Sequence, residues 1–369
     1  MVTTPIDIVE PSKPNERARK MAIIDTDIHN DVPSDETLYR YLPDRWRRYH
    51  EMIGLRGFYG TSYPRASRNA ARHDAWPPSG LPPGSDLGFV QSQLLDTWDI
   101  EYGVLNCLRA AGRQQNLEYG AALARALNEW QVEDWLEPEP RLRASMVVPY
   151  EDGDLAAEEI DRASQHPGFV QVLVTARTSE PLGRRRYWKL YEAAARNNLP
   201  VGIHFGGTGG RPLTGAGWPS HYLEDHAGMP QAFQAQVISL VCEGVFERFP
   251  ELKIVLIEGG LAWIPPLAWR LDRSWERLRE EVPYLSHPPS SYIRKHFWIT
   301  TQPMEEPPQA KYFRQLLEQL DSNDRLLFAT DYPHWDFDNP DRALPSHLPP
   351  PLRRRILADN ARALYRFEA

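Results

Sequence analysis

The sequence is poor in cysteine, with two residues, Cys107 and Cys242, in 369. That excludes a disulfide framework and a thiolate metal cluster, and it suits a reducing cytoplasm, the expected location. An excess of positive charge is also missing. Asp and Glu number 50 against 42 Lys and Arg, a net charge of −8, which argues against a nucleic-acid partner. The arginine runs at Arg45/Arg47/Arg48, Arg184–Arg186 and Arg353–Arg355 read as solvated faces or turns. No window approaches the roughly 18 uninterrupted apolar residues of a membrane span, so no membrane association is predicted. Residues 1–20 (MVTTPIDIVEPSKPNERARK) lack the apolar stretch of a signal peptide and are expected to form an extended arm.

What is plentiful is proline, at 34 residues, about twice the usual share of 5%. Proline is excluded from helix and sheet interiors, so these residues predict many ordered loops and exclude a helical bundle. They cluster at Pro77–Pro83, Pro212–Pro230, Pro265–Pro266, Pro303–Pro308, Pro333–Pro340 and Pro345–Pro351. Most of these segments follow an apolar, β-rich run.

Eight such runs are visible: Ala22–Asp27, Tyr102–Cys107, Leu142–Val148, Phe169–Val174, Leu199–His204, Leu252–Glu258, Phe297–Thr301 and Leu326–Asp331. Near-continuous apolar runs suit parallel strands buried on both faces. Helical periodicity fills Asn116–Leu136, Asp154–Ser164, Arg186–Asn197, Gln231–Phe249, Leu261–Val282, Lys311–Leu320 and Pro351–Phe367. The alternation predicts a distorted (β/α)8 barrel. Residues 21–369 are expected to make one barrel domain. Two long insertions are expected after strands 1 and 5, at about 30–90 and 205–230, the first with a helix only near its end.

In such a barrel the active site lies at the C-terminal ends of the strands. Strand 1 ends with Asp27 and His29, two residues apart and so on one side of the strand. Strand 5 ends at His204, strand 6 at Glu258 and strand 8 at Asp331. Two imidazoles and two or three carboxylates converging on one mouth suit a single divalent metal, Zn first and Mn next. Each residue alone has a bland reading as a turn former or a satisfied core side chain. The coincidence at three strand ends carries the assignment.

These stretches, IIDTDIHN, LPVGIHFGG, EGVFERFPELKIVLIEGG and LLFATDYPHWD, resemble the amidohydrolase superfamily across about residues 21–367. They are closest to the branch with aminocarboxymuconate semialdehyde decarboxylase-like and resorcylate decarboxylase-like enzymes. The resemblance implies metal ligands at Asp27, His29, His204 and Asp331, with Asp331 also exchanging a proton with the metal water. No lysine stands at the end of strand 4, which argues against a binuclear centre. Where many relatives carry a strand-six histidine, this chain has Glu258. That residue could be a base, a partner for His204 or an extra ligand.

His226 and His334 are candidates to fill the gap. Arg109 and Arg177 are candidates to clamp a substrate carboxylate. Trp218, Tyr222, Trp263, Tyr332 and Trp335 are candidate pocket walls. The favoured function is hydrolysis of a small amide, lactone or cyclic C–N compound by metal-activated water, with Asp331 or Glu258 as the base. The alternative is non-oxidative decarboxylation of an aromatic or enoic acid. A barrel that only binds a ligand is the third reading. The expected partners are a small aromatic or apolar substrate and further copies of the chain, in a dimer or tetramer.

Overall fold

The computed structural model describes residues 21–53, 70–109, 112, 114–207, 215–321 and 323–368. The expected N-terminal arm lies outside the described residues, as do 54–69 and 208–214 of the two insertions.

Eight parallel strands follow one another around a single sheet: β1 (Ile23–Ile28), β2 (Ile100–Leu105), β3 (Leu142–Val147), β4 (Phe169–Arg177), β5 (Val201–Gly207), β6 (Ile254–Ile257), β7 (Phe297–Thr300) and β8 (Leu326–Leu327). β1, β6 and β7 are buried along their whole length, as their continuous apolar runs require. The barrel closes through the continuation of β8. The Thr26 N–H donates to Phe328 O at 3.0 Å, Asp331 N–H to Asp27 O at 3.1 Å and His29 N–H to Tyr332 O at 2.7 Å. The expected distorted (β/α)8 barrel is therefore the observed fold, with its distortion at the β8–β1 seam. β8 is shorter than its apolar run because donors that would extend the ladder are taken elsewhere. Phe328 N–H bonds Ile356 O, and Thr330 N–H bonds the Asp25 carboxylate.

Helices at Leu117–Gln131, Gly153–Ala163, Trp188–Arg196, Pro230–Cys242, Ile264–Leu278, Ala310–Leu320 and Asn360–Tyr365 follow β2 to β8 in turn. Two start on side-chain caps: Asn116 accepts from Tyr119 N–H, and Asp152 accepts from Asp154 and Leu155 N–H, each worth about 1 kcal/mol. The single helix expected over Gln231–Phe249 is two, broken where Gly244 turns left-handed at φ 73°. Among the helices that went unforeseen are Pro289–His296 before β7, Tyr222–Ala227 in the second insertion, and Asp44–Ile53 inside the first, which was expected to be helical only near its end. Ile264–Leu278 is the longest helix with Leu117–Gln131, and no helix among the described residues is long and apolar enough to cross a membrane.

The larger apolar core lies between sheet and helices. A second cluster gathers Ile24, Val104, Val255 and Leu327 of the strands with Ala361, Leu364, Tyr365 and Phe367. The C-terminal helix thus plugs the end of the barrel where the strands begin, leaving the other end for the site.

Candidate metal centre

Asp27, His29, His204 and Asp331 meet at the C-terminal ends of β1, β5 and β8. All four are buried, and one ligand atom of each lies within 4.8 Å of all the others. The His29 Nε2 is 2.8 Å from Asp331 Oδ1 and 3.4 Å from Asp27 Oδ1. The His204 Nε2 is 3.5 Å from Asp27 Oδ2. Two of the converging atoms, Asp27 Oδ2 and His204 Nε2, are buried and have no hydrogen-bond partner. Orphaned buried polar atoms are costly unless something else satisfies them. A mixed imidazole and carboxylate set with two such atoms fits one divalent cation of the Zn or Mn type.

The second ring nitrogens are already engaged. His29 Nδ1–H donates to the Asn106 carbonyl at 2.8 Å and His204 Nδ1–H to the Phe205 carbonyl at 2.6 Å. Those bonds direct both Nε2 atoms at the centre. Asn106 also donates through Nδ2 to Asp27 Oδ1 at 2.8 Å and to Thr26 O at 3.2 Å. Its own amide is oriented by Ser145 Oγ, 2.6 Å from Asn106 Oδ1. Gln171 Nε2 in turn donates to Ser145 Oγ, and Tyr365 OH to Gln171 Oε1. A chain of side-chain hydrogen bonds therefore crosses the barrel from Asp27 to the C-terminal helix.

Two site residues sit in the left-handed backbone region, Glu258 at φ 61° and Asp331 at φ 60°. This region is uncommon outside glycine and costs of order 1–3 kcal/mol. Close approach shapes the loop after β1 as well. A Cβ on Gly84 (φ 75°) would stand 2.3 Å from the His29 carbonyl oxygen, so only glycine fits there.

Asp331 Oδ1 meets two stacked imidazoles, His29 Nε2 at 2.8 Å and His334 Nδ1 at 2.7 Å. Burial would raise its pKa, but the His334 and His29 charges and hydrogen bonds hold it well below the usual carboxylate range. Burial works against a charge on His29, and the Asp27 and Asp331 carboxylates overcome it, lifting it to about 9. Glu258 moves the other way. Burial, then the Asp331, Asp336 and Asp27 charges, push its carboxyl well above the ordinary range. Its Oε2 is 3.4 Å from His204 Nε2. His226 lies on the helix Tyr222–Ala227, its Nε2 3.1 Å from Asp336 Oδ2 and its ring against Tyr222 and Trp335. His226, Glu258 and Asp336 form a second group of possible ligands beside the first.

The expected substrate arginines are engaged within the chain. Arg109 pairs with Asp31 and Asp35, and Arg177 with the buried Asp225 at 3.0 Å. Trp218 is exposed, away from the buried quartet. Trp335, 40% exposed, stands over Tyr222 with its Nε1–H on the Tyr222 hydroxyl. Tyr332 is buried, and Trp263 donates to Gly259 O. Sequence reasoning missed Asn106, Asp336 and Gln302. Gln302 donates to Asp331 Oδ2 and Asp336 Oδ2 at 3.3 and 3.1 Å. An Asn at the end of a strand carries no signal of its own, whereas Asp336 was visible in the TDYPHWD stretch.

Comparison with known proteins agrees with this architecture. The family model described as amidohydrolase matches residues 24–367. Among curated proteins, the gamma-resorcylate decarboxylase of Polaromonas sp. (strain JS666 / ATCC BAA-500) is 27% identical over 297 residues, 72% of this chain and 85% of that one. The gamma-resorcylate decarboxylase of Rhizobium sp. (strain MTP-10005) is 26% identical over 310 residues, 77% of this chain and 88% of the other. Among solved structures, 5-carboxyvanillate decarboxylase from Novosphingobium aromaticivorans DSM 12444, complexed with manganese and 4-hydroxy-3-methoxy-5-nitrobenzoic acid, has the same fold. Its TM-score is 0.70 at 18% identity, covering 94% of this chain and 96% of that one. The dihydroxybenzoic acid decarboxylase of Polaromonas sp. JS666, with bound manganese and 2-nitroresorcinol, gives 0.65 at 22%, covering 94% and 97%. The chain belongs to the amidohydrolase family and is an enzyme of its metal-dependent hydrolase or carboxy-lyase type.

Proposed function

We propose that the protein is a metal-dependent, non-oxidative decarboxylase of a small aromatic acid. Asp27, His29, His204 and Asp331 would hold one divalent ion, and manganese suits the set as well as zinc. When bound, that ion supplies positive charge for the substrate's carboxylate and hydroxyl oxygens. The observation that carries the reading is the buried quartet, with its two orphaned atoms, in a chain whose curated relatives are gamma-resorcylate decarboxylases. This favours the alternative weighed from the sequence over amide or lactone hydrolysis.

The reaction needs a proton at the ring carbon that bears the carboxylate. That carbon gains the proton, its bond to the carboxylate breaks with the electron pair returning to the ring, and CO2 leaves. Asp331, ionised at rest, would take that proton on Oδ1 from His334 and pass it to the ring carbon. His334 touches this oxygen at 2.7 Å and is 22% exposed at its side chain, so it links the buried acid to the mouth. His29 Nε2 fixes the same oxygen at 2.8 Å. Tyr222, His226 and Trp335 make an aromatic rim on which a planar substrate could stack.

Purified enzyme loaded with Mn or Zn decides the matter when it is offered dihydroxybenzoates, 5-carboxyvanillate, amides and lactones. CO2 is measured alongside new carboxylate and ammonia. The reading expects one CO2 per phenol formed. Turnover of an amide or lactone without CO2, and none of the aromatic acids, would overturn it.

A further inference from the structure

We propose that His226, Glu258 and Asp336 form a second divalent-cation site, beside the quartet and on its solvent side. One ligand atom of each lies within 4.8 Å of the others. They come from three separate parts of the chain: the helix Tyr222–Ala227, the residue after β6 and the loop after β8.

The carboxylate of Glu258 makes the independent case for a ligand. Its side chain is 9% exposed. Among the described residues no side-chain donor is hydrogen-bonded to its carboxylate, and its one ion-pair contact, His204 Nε2, is 3.4 Å away. A carboxylate on a side chain this buried gains from a donor or a cation. One of its oxygens lies within 4.8 Å of a ligand atom of His226 and of Asp336.

Charge counting points the same way. The two clusters together hold four carboxylates, those of Asp27, Asp331, Glu258 and Asp336. Among the described residues, no lysine or arginine pairs with any of them; their ion-pair neighbours are all histidines. One divalent ion in the quartet leaves two negative charges, and a second ion balances them. Asp336 is further held by Gln302 Nε2, which also bonds Asp331 Oδ2, so one amide spans the two groups.

An imidazole with two carboxylates selects Mn or Zn over Ca or Mg. Three protein ligands leave open positions. His226 and Asp336 are 21% and 15% exposed at their side chains, so those positions face the mouth where a second substrate oxygen would arrive. The absence of a strand-four lysine therefore does not limit this chain to one ion.

The test is metal stoichiometry, which is independent of the reaction catalysed. The full chain is dialysed against rising free Mn and the bound metal is counted, with electron paramagnetic resonance reporting coupling between neighbouring Mn ions. Two equivalents with a coupled signal are expected. Asp336→Asn and His226→Gln should each bind one equivalent with an uncoupled signal, and retention of that equivalent shows that the quartet is still folded. A single equivalent in the wild type at up to millimolar free Mn would overturn the proposal. So would two coupled equivalents in both variants. A decarboxylation assay that failed while two ions bound would count against the proposed reaction and leave this site standing.

Discussion

Asn106→Ala is the sharpest test of how the quartet is held. Asn106 is fully buried and serves two ligands differently: its backbone carbonyl fixes the His29 ring, and its side-chain amide fixes Asp27. Alanine keeps the carbonyl and removes the amide with its bonds to Asp27, Thr26 and Ser145, so it separates the hold on Asp27 from that on His29. The lost bond, Asn106 Nδ2–H to Asp27 Oδ1 at 2.8 Å, is made to a carboxylate, a class worth about 1.5–3 kcal/mol. If most of that energy favours the ligating orientation, metal affinity falls about ten- to a hundredfold, the range for partners that orient metal ligands. A water filling the vacated space would bring the loss to the lower end. Affinity is read by competition with a chelating dye, and circular dichroism reports the fold. Ser145→Ala removes only the group that orients Asn106, and Gln171 Nε2 remains 3.5 Å from Asn106 Oδ1, so its loss should be smaller. A change below about threefold in Asn106→Ala, against the tenfold expected of such partners, would refute the reasoning. A larger loss in Ser145→Ala than in Asn106→Ala would do so as well.

Three further outcomes follow from the geometry. Asp331→Asn should lower kcat by about 10²- to 10⁴-fold, the contribution of a positioned proton donor; full turnover would remove Asp331 from proton transfer. Arg177→Met leaves Asp225 buried without the guanidinium that meets it at 3.0 Å, so urea unfolding should show a loss of about 3–5 kcal/mol, whereas a substrate clamp would raise KM at unchanged stability. Hydrogen bonds from Arg141 hold Glu139 down to about 2. A carboxyl depressed in the fold adds stability above its unfolded value of about 4.3, and that stability drains away as pH falls from there toward 2. Glu139→Gln should flatten the stability curve in that window, as measured by thermal melts across pH.

The barrel was legible because parallel strands buried on both faces leave long apolar runs, and eight of them alternate with helical periodicity. The quartet was legible for a related reason: Asp27, His29, His204 and Asp331 interrupt apolar runs where the chain turns out of the sheet. What failed to show lies in relations between distant segments. Arg109 and Arg177 look free in the sequence because Asp35 and Asp225, which engage them, come from the insertions after strands 1 and 5. Asn106 looks like any strand-end polar residue until His29 and Asp27 are folded onto it. The break at Gly244 and the short β8 were hidden because apolar pattern reports burial, not which backbone donor meets which acceptor.

The seam between β1 and β8 shows why closing the barrel and placing the ligands are one event. Asp331 gives its N–H to Asp27 O, and His29 gives its N–H to Tyr332 O. The bonds that join the two strands thus begin or end on three of the four quartet residues. Asp25, two residues before Asp27, takes both the N–H and the hydroxyl of Thr330, the residue before Asp331. None of these three side chains could shift far while these bonds hold, and none would stay in register if they opened. Because β8 itself contributes only two residues to the ladder, this seam is the weakest stretch of the sheet, and a bound cation gripping Asp27, His29 and Asp331 would fasten it from the inside. Hydrogen exchange should therefore show the amides of Thr26, His29 and Asp331 opening together, with protection that rises when metal is added. Protection that is unchanged by metal at these amides would mean that closure and ligation are separable.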